Sequence, residues 1–170
     1  MLNQLTEQLR AGTDLTAEHV TEAVQQMTAE EITPEVKAEF LTALAAKGES
    51  TEELAAFAGE LRARATAVPL DDATRAGVIL DVCGTGGDGL NTFNISTTVS
   101  ILCAAAGVTV AKHGNRAITS QSGSADVLAA LGIPTDLSPA DAAASMAAHG
   151  FAFLFAPLYH PAFKHIAPAR

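Results

Sequence analysis

Apolar residues in the first third of the chain recur every three or four positions, which is the spacing of helices that bury one face. Leu2, Leu5 and Leu9 form the first such stripe, and Gly12 follows as a helix-ending residue. Residues 1–68 are therefore predicted to form a small all-α helical domain. Its later helix-start signals are Thr16, Thr33 with Pro34, and two capping-box pairs, Thr28 with Glu31 and Ser50 with Glu53.

Short apolar runs alternate with helical segments beyond Pro69. The runs are "GVILDVCG", "VTVA" and "FAFLFA", and each has the length and composition of a buried parallel strand. Helices are predicted over "ISTTVSILCAAAG", "SADVLAALG" with Ser124 as its cap, and "SPADAAASMAAHG" with Ser138 as its cap. The predicted fold class is therefore α/β, in which the helical domain precedes a partial parallel-sheet domain over residues 69–170. Three strands are fewer than the roughly five or six of an average sheet.

Composition and charge exclude several classes of function. The 170 residues carry 19 acids against 10 Lys and Arg, a net charge of −9, so neither nucleic acid nor a membrane surface is an expected partner. No apolar run approaches the ~18 residues of a membrane span, and the start of the chain lacks the pattern of a signal peptide. Cys83 and Cys103 match no metal-ligand spacing and are interpreted as reduced core thiols of a cytoplasmic protein.

The segment "DVCGTGGDGLNTFNISTTVS" holds four glycines within six positions, which indicates a backbone that a ligand approaches closely. Gly84, Gly86 and Gly89 satisfy the G-x-G-x-x-G fingerprint of dinucleotide-binding loops, but "LNTFN" separates them from the next helix. Lys112 also ends the next predicted strand. Dinucleotide-binding folds place an acidic residue at that position, where its carboxylate accepts hydrogen bonds from the ribose hydroxyls. A nicotinamide-dependent enzyme is therefore disfavoured, and a P-loop is excluded because no Gly-Lys-Ser/Thr follows.

A loop that wraps a large phosphorylated group fits these residues better. Asn94, Ser96 and Thr97 lie at a predicted helix start, where backbone N–H groups and hydroxyls bind anions, and Lys112 adds a positive charge. Asp88 fits as a hydroxyl acceptor or as an outer partner of a magnesium ion. The alternative is a tight strand–helix connection that binds nothing.

Several motifs together resemble those of the anthranilate phosphoribosyltransferase family. They are "GTGGDGLNTFNIST", "KHGNR", "SQSGSADVLAALG" and "FLFAPLYHPAFKHIAPAR", and the likeness covers essentially the whole chain. The resemblance implies a fold of the nucleoside phosphorylase type. It also implies the transfer of a phosphoribosyl group from phosphoribosyl pyrophosphate (PRPP) to the amine of anthranilate, with release of pyrophosphate, in tryptophan biosynthesis. Magnesium is the implied cofactor, and a homodimer formed through the N-terminal helices is the implied assembly.

Site residues follow from the same resemblance, motif by motif. The residues implied to contact PRPP are Gly84, Gly87, Asp88, Thr92, Asn94, Ser96, Thr97, Lys112, Ser120 and Ser124. Ser96 is also implied to hold the magnesium ion. The residues implied to contact anthranilate are Gly84, His113, Asn115 and Arg170. No covalent intermediate is expected, because the chain shows no Ser-His-Asp or Cys-His arrangement of catalytic residues. The reaction would instead depend on substrate positioning and electrostatic stabilisation.

Simpler interpretations remain open for several of these residues. His113 would satisfy a backbone carbonyl, Asn115 would form a turn, and Arg116 would make either a structural ion pair or a phosphate contact. Family members are considerably longer, and their further part carries an adjacent Asp–Glu pair that binds magnesium. The chain alone is therefore expected not to catalyse, and the alternative function is that of a non-catalytic relative acting as a ligand-binding or dimerisation module.

Overall fold

The structure is a computed structural model that describes residues 1–84, 93–117 and 122–169. It divides into two compact units, a helical unit of residues 1–65 with 160–169 and an α/β unit of Thr66–Tyr159. The helical unit contains α1 (Leu2–Arg10), α2 (Ala17–Thr28), α3 (Pro34–Lys47), α4 (Thr51–Ala63) and 3-10 turns at Pro161–His165 and Ala167–Ala169. The α/β unit contains α5 (Asp72–Ala76), β1 (Ile79–Leu80), α6 (Ile95–Ala105), β2 (Thr109–Gly114), α7 (Ser124–Ala130), α8 (Pro139–His149), β3 (Phe151–Phe155) and α9 (Ala156–Tyr159).

The core of the helical unit forms where the apolar faces of its helices meet. Leu9, Val20 and Phe40, from α1, α2 and α3, are each at most 1% exposed. Phe57 of α4 packs edge-on against Phe40, with the ring centroids 6.5 Å apart. Full burial of one such side chain contributes ~1.5–3 kcal/mol to the free energy of folding. Because each helix gains this energy only when its apolar face turns inward, the spacing of apolar residues predicts which face is buried.

Most of the predicted helix starts are confirmed. Thr16 and Ser50 accept N–H groups from the first turns of α2 and α4, and α3 begins at Pro34 directly after Thr33. The predicted capping box of Thr28 with Glu31 is wrong, because Thr28 is the last residue of α2. Its hydroxyl donates to the carbonyl oxygen of Val24 at 2.9 Å. A hydroxyl that bonds back into its own helix does not begin the next one.

The last described residues pack with the helical unit, although the predicted second domain included them. Ile166 is 7% exposed and belongs to the helical core. Lys37 is 2% exposed, and its Nζ donates to the carbonyl oxygens of Ala29 at 2.7 Å and His165 at 2.8 Å. A buried ammonium requires such acceptors. The Lys37–His165 bond joins residues 128 positions apart, which is why no local pattern in the sequence revealed it.

The α/β unit is built on a parallel sheet with the strand order β1-β2-β3. Successive residues of β3 point to opposite faces, as they do in any strand. Ala152 and Leu154 pack in the cluster that includes α8, and Phe153 packs in the cluster that includes α7. Both faces of the sheet are therefore covered by helices, and the predicted α/β fold class is confirmed.

Two strand predictions change in extent. β1 comprises Ile79–Leu80 of the predicted run, and β2 extends beyond "VTVA" through Lys112 and His113 to Gly114. Because β1 ends early, Cys83 lies beyond it and is exposed, so its prediction as a core thiol is wrong; Cys103 is half-buried.

Two helix predictions change as well. The sequence signals did not predict α5, which begins after Asp71, whose carboxylate accepts the N–H of Thr74 at 2.7 Å. Ser124 is the first helical residue of α7 and Gly123 precedes it, so Ser124 is not the predicted cap. Ser138 does cap α8, by accepting the N–H of Asp141. Within the described residues, no helix is both long and apolar enough to cross a bilayer.

Candidate functional site

The predicted site residues gather where β1 and β2 end. The two strands are parallel, so their carboxyl ends lie at the same edge of the sheet. Residues 81–84 follow β1, Lys112 and His113 lie in the last half of β2, and residues 115–117 follow β2. Open α/β sheets bind their ligands in the crevice beyond the carboxyl ends of the strands, so this edge is the candidate site.

Gly84 lies beside the first turn of α6. A Cβ atom built on Gly84 would come within 3.9 Å of the Ser96 Oγ, which is an ordinary van der Waals distance. The start of the glycine-rich segment and the predicted magnesium ligand are therefore neighbours. The backbone N–H groups of the first turn have no carbonyl partner within their own helix, as in every α-helix, and they lie at the positive end of its dipole.

Two hydrogen bonds join the start of α6 to the start of α7. The Asn94 Nδ2 donates to the carbonyl oxygen of Ser122 at 3.1 Å, and the Thr97 hydroxyl donates to the Ser124 Oγ at 3.0 Å. Thr97 is 1% exposed. The structure thus brings together three predicted PRPP contacts, Asn94, Thr97 and Ser124, and it uses the side chains of the first two to hold the helices in place.

The segment after β2 passes against the start of α7 at very short range. A Cβ on Gly123 would lie 2.3 Å from the backbone nitrogen of Ala117 and 2.4 Å from the carbonyl carbon of Arg116. Real Cβ atoms do not approach backbone so closely, so only glycine fits at position 123 in this arrangement. A Cβ on Gly114 would likewise lie 2.8 Å from the Phe153 ring.

Asp126 ties this segment to α7. Its Oδ2 accepts the N–H groups of Gly123 at 2.8 Å and Ala117 at 3.1 Å. These backbone donors, with a smaller contribution from Arg116, hold the pKa of the Asp126 carboxyl below its usual value. Sequence reasoning missed Asp126, although an acid in the first turn of a helix, three residues after Gly123, is a recognisable signal.

Arg116 makes the structural ion pair that sequence analysis left open. Its Nη1 lies 3.6 Å from the Asp126 Oδ1, and its guanidinium lies 5.9 Å from the centroid of the Phe155 ring. The side chain is 66% exposed, so the ion pair is weak. Asn115 is exposed, and its Oδ1 accepts the N–H of Arg116 at 2.8 Å, which fits the open alternative of a turn residue.

Lys112 is a buried cation at the end of β2. The residue is 2% exposed, and its Nζ donates to the carbonyl oxygen of His113. Burial lowers the pKa of Lys112, although the neighbouring Cys83 and Asp81 act to raise it. An ammonium has three hydrogens to donate, so an anion near the strand end would find a strong partner here.

His113 pairs with a residue that sequence reasoning did not single out. The Asp81 Oδ2 lies 3.0 Å from the His113 Nδ1, and the Asp81 Oδ1 accepts the backbone N–H of His113 at 3.1 Å. Their side chains are 42% and 34% exposed, respectively. The signal that could have revealed Asp81 is an acid directly after a buried strand, at the edge where parallel sheets bind ligands.

The remaining predicted contacts fall outside the described residues. They are Gly87, Asp88, Thr92, Ser120 and Arg170.

Family models match both parts of the chain. The helical bundle domain of a glycosyl transferase family matches residues 3–65, and the a/b domain of that family matches residues 76–170. The chain belongs to this glycosyl transferase family. The two matched domains follow each other in the order in which the structure shows the helices and the parallel sheet.

Named relatives of this chain are anthranilate phosphoribosyltransferases. Over 170 residues it is 49% identical to the enzyme of Brevibacillus brevis and 48% identical to that of Moorella thermoacetica, and it covers 49% of each. The family resemblance that the motifs indicated is thereby confirmed. The chain spans about half the length of these relatives.

Solved structures show the same likeness. The crystal structure of anthranilate phosphoribosyltransferase from Thermus thermophilus superposes with a TM-score of 0.85 at 39% identity, over 98% of this chain and 49% of that one. The Saccharomyces cerevisiae enzyme in complex with PRPP and Mg has a TM-score of 0.83 at 28% identity, over 99% of this chain and 50% of that one.

Proposed function

We propose that this chain forms the PRPP-binding part of an anthranilate phosphoribosyltransferase. The observation that carries the proposal is the junction of the α6 and α7 starts, where the Thr97–Ser124 and Asn94–Ser122 hydrogen bonds set two helix N-termini side by side. Helix N-termini stabilise phosphate through backbone N–H groups and the helix dipole. A diphosphate carries enough negative charge to use both helix starts and the Lys112 ammonium.

The proposed acceptor side of the site is the end of β2. His113 and Asn115 lie there, beside the residues that follow β1. An imidazole and a carboxamide both form hydrogen bonds with an aromatic amine or a carboxylate. Anthranilate carries both groups, and relatives of this chain act on it, as their names state. Arg170 is the further proposed contact, to the carboxylate of anthranilate.

The proposed reaction breaks the C1–O bond of the ribose and forms a C1–N bond to the amine. The bonding electrons leave with pyrophosphate while positive charge develops on the ribose. The amine supplies the new electron pair and then releases one proton to water or to the departing pyrophosphate. Lys112 and the N–H groups of the α6 start would stabilise the departing negative charge. Catalysis is then mainly positioning and electrostatics, since an aromatic amine is a neutral nucleophile at pH 7.

Magnesium is the proposed cofactor, and the donor chemistry of the chain fits it in a limited way. Ser96 offers one hydroxyl oxygen beside Gly84, which suits an ion that keeps most of its ligands from substrate phosphates and water. Among the described residues, no group of three or more His, Cys, Asp or Glu side chains could hold a metal ion. When bound, the ion would supply positive charge to the pyrophosphate oxygens.

Catalysis by the whole enzyme is proposed to need more than these residues. The chain spans about half the length of its relatives. The family resemblance implies a magnesium-binding Asp–Glu pair in the half of those relatives that this chain does not cover. We therefore expect the 170-residue chain to bind PRPP without turning it over.

A cytoplasmic homodimer that uses the N-terminal helices, without nucleic acid or membrane partners, completes the proposal. Leu54 on α4 is 56% exposed, and the net charge of −9 disfavours nucleic acid and anionic membrane surfaces as partners. We expect light scattering to give twice the 17.4 kDa mass of the chain. A monomeric mass at all concentrations would remove the dimer from the proposal and leave the ligand site unaffected.

Titration calorimetry with PRPP and magnesium tests the ligand proposal. The wild-type chain should bind saturably, and Lys112→Met should weaken binding by about 10- to 100-fold, because one charge-assisted hydrogen bond contributes ~1.5–3 kcal/mol. Asn94→Asp should also weaken binding, since it sets a negative charge at the α6 start. Lys164→Ala, which removes an exposed cation from the helical unit, is the matched control. Absence of binding by the wild type, or equal binding by Lys112→Met, would contradict the proposal.

A further inference from the structure

We propose that Asp126 is a positioning residue for substrate binding, which fixes Asn115, the proposed anthranilate contact, beside Ser124, the proposed PRPP contact. The substrate part rests on the proposed function, whereas the arrangement of the two backbone segments is a property of the chain itself. Asp126 touches no substrate in this proposal. It acts through the backbone of the segment after β2 and through the start of α7.

One carboxylate oxygen of Asp126 holds two backbone segments. Its Oδ2 accepts the N–H of Gly123 at 2.8 Å and the N–H of Ala117 at 3.1 Å. The two donors lie three and nine positions before Asp126, on either side of the connection between β2 and α7. Donors that share one acceptor atom must lie close together, so the carboxylate sets the separation of these two segments.

The identity of residue 123 explains why the acceptor comes from further along the helix. A helix N-cap is usually Ser, Thr, Asp or Asn, whose side chain accepts an N–H of the first turn. Gly123 has no side chain at this position of α7, and a Cβ there would lie 2.3 Å from the Ala117 backbone nitrogen. The close approach of the two segments therefore excludes the usual cap residues, and other acceptors must serve the start of α7.

The segment after β2 and the start of α7 supply these acceptors to each other. The carbonyl oxygen of Asn115 accepts the N–H of Ala125, in the first turn of α7, at 3.2 Å, where a capping side chain would otherwise accept it. In return, Asp126 of α7 accepts the N–H of Ala117. Because the bonds run in both directions, loosening one segment leaves polar groups of the other without their acceptors.

Another helix of the chain shows that capping alone does not need a bond to an earlier segment. Asp141 is the third residue of α8, as Asp126 is of α7, and it exchanges hydrogen bonds with the Ser138 side chain at 2.6 and 3.2 Å. Both of those bonds stay within the helix start. The bond from Asp126 to Ala117, nine positions earlier in the chain, goes beyond what a helix cap requires.

The two segments carry residues of both proposed substrate contacts. Asn115 lies shortly before Ala117, and Ser124 directly follows Gly123. The Ser124 Oγ also accepts the Thr97 hydroxyl at 3.0 Å, which extends the arrangement to the start of α6. A site whose parts are ordered before the ligand arrives binds more tightly, because binding need not order them. Removing the Asp126 acceptor should therefore weaken binding although no substrate contact is removed.

Two substitutions separate the hydrogen bonds of Asp126 from its charge. In Asp126→Asn, the amide oxygen at the place of the Oδ2 can accept both N–H groups, while the negative charge and the weak ion pair with Arg116 are lost. Arg116 is exposed and can turn into solvent, away from the new amide group. In Asp126→Ala, the acceptor itself is lost. A positioning role predicts that the asparagine variant resembles the wild type and that the alanine variant does not.

Amide hydrogen exchange in the 170-residue chain tests the arrangement of the segments. The N–H groups of Ala117 and Gly123 should be protected in the wild type and in Asp126→Asn, and they should exchange at least about tenfold faster in Asp126→Ala. Amides of β3 in the same spectra should stay protected, which shows that the sheet is folded. Rapid exchange at Ala117 in the wild type, or unchanged protection in Asp126→Ala, would overturn the proposal.

Calorimetry with PRPP and magnesium, followed by anthranilate, tests the substrate part. Asp126→Ala should weaken the binding of each substrate by about tenfold, and Asp126→Asn should stay within about threefold of the wild type. Asp141→Ala, which removes an acid at the same position of α8, is the matched control and should change neither. Equal weakening by the two Asp126 variants would assign the effect to charge, and equal weakening by the control would assign it to helix capping; either result overturns the proposal.

Failure of the proposed function and failure of the positioning role give different results. If the wild type binds no PRPP, the proposed function fails and the substrate part fails with it, while the exchange rates still decide whether Asp126 holds the two segments. If the wild type binds PRPP but not anthranilate, the Asn115 half of the proposal is wrong. If Asp126→Ala binds both substrates as the wild type does, the proposed function stands and Asp126 has no positioning role.

Discussion

Replacing Gly123 with alanine is expected to lower the free energy of unfolding of the α/β unit by about 3 kcal/mol, the upper part of the usual range for an overpacked site. The added methyl would lie 2.3 Å from the Ala117 backbone nitrogen, 2.4 Å from the Arg116 carbonyl carbon and 2.8 Å from the Asn115 carbonyl oxygen. All three are backbone atoms, so no side-chain rotation relieves the contact. The segment after β2 must move away from α7.

That movement would also break the contacts of the site. Asp126 accepts N–H groups from both Gly123 and Ala117, and the N–H of Ala125 donates to the carbonyl oxygen of Asn115 at 3.2 Å. Separation of the two segments lengthens these bonds together. PRPP binding by Gly123→Ala is therefore expected to weaken along with its stability.

Tyrosine fluorescence during urea unfolding gives the measurement. The chain has one Tyr and no Trp, and Tyr159 is a 2% exposed residue of the α/β unit whose hydroxyl donates to the Leu137 carbonyl oxygen, so the signal reports the packing of that unit. Gly59→Ala is the matched control, because nothing lies within 4 Å of a Cβ at Gly59 in α4. The control should stabilise its helix by about 0.5–1 kcal/mol and leave the tyrosine transition unchanged. An unchanged midpoint for Gly123→Ala would contradict the close approach seen in the structure.

Replacing Glu53 with glutamine is expected to destabilise the helical unit by about 3 kcal/mol, the lower end of the cost of breaking a buried ion pair, because Lys47 keeps Asp14 as a partner at 2.6 Å. Glu53 is 0% exposed, and its carboxylate accepts the N–H groups of Leu15 and Ser50 and the Lys47 ammonium, each at 2.8 Å. An amide has a single oxygen to accept with. Whichever way it turns, its NH₂ group faces at least one of these donors.

The same group makes the helical unit sensitive to acid. Burial by itself would raise the pKa of Glu53, but the Leu15, Lys47 and Ser50 donors together outweigh it and lower the pKa to about 2 from 4.5. The unfolded chain takes up a proton near 4.5, whereas the folded chain keeps the carboxylate down to about 2. This stabilisation is therefore complete above about pH 5 and is lost as the pH falls toward 2, by on the order of 3 kcal/mol.

Amide hydrogen exchange provides a local readout for Glu53. The Leu15 N–H donates to the Glu53 carboxylate, so its protection should fall in Glu53→Gln and should fall in the wild type as the pH drops. Other carboxyls with lowered pKa values, such as Asp126, also contribute to acid sensitivity, and the difference between wild type and Glu53→Gln isolates one group. Glu52→Gln, at the exposed neighbouring position, should leave stability unchanged. A pH dependence equal in wild type and Glu53→Gln would refute this assignment.

Local signals in the sequence were sufficient for much of the helical unit. The capping pair Ser50 and Glu53 occurs as predicted, and so do the buried stripe of α1 and the proline that begins α3. These features depend on residues within one or two helical turns of each other, so they can be predicted from neighbouring residues in the sequence. The Thr28 signal failed because the same hydroxyl can bond backward into its own helix, a choice that local sequence does not settle.

The site divides in the same way. Motifs identified Asn94, Thr97, Lys112 and Ser124 as candidates, and the structure places all four near the ends of β1 and β2 and the starts of α6 and α7. They did not reveal that the Thr97 side chain is buried against Ser124 or that Lys112 is 2% exposed. A motif indicates which residues belong to the site, but it does not indicate how deeply each side chain is buried.

By itself, the sequence determined the α/β class, the positions of most helices and the family, because periodicity, caps and motifs are properties of neighbouring residues. Only the tertiary structure decided that Asp81 faces His113 across 32 positions and that Asp126 holds the segment after β2. It also decided that Lys37 joins the last described residues to the helical unit. These contacts form between segments that meet only when the chain folds, and the burial that gives them their strength is not present until then.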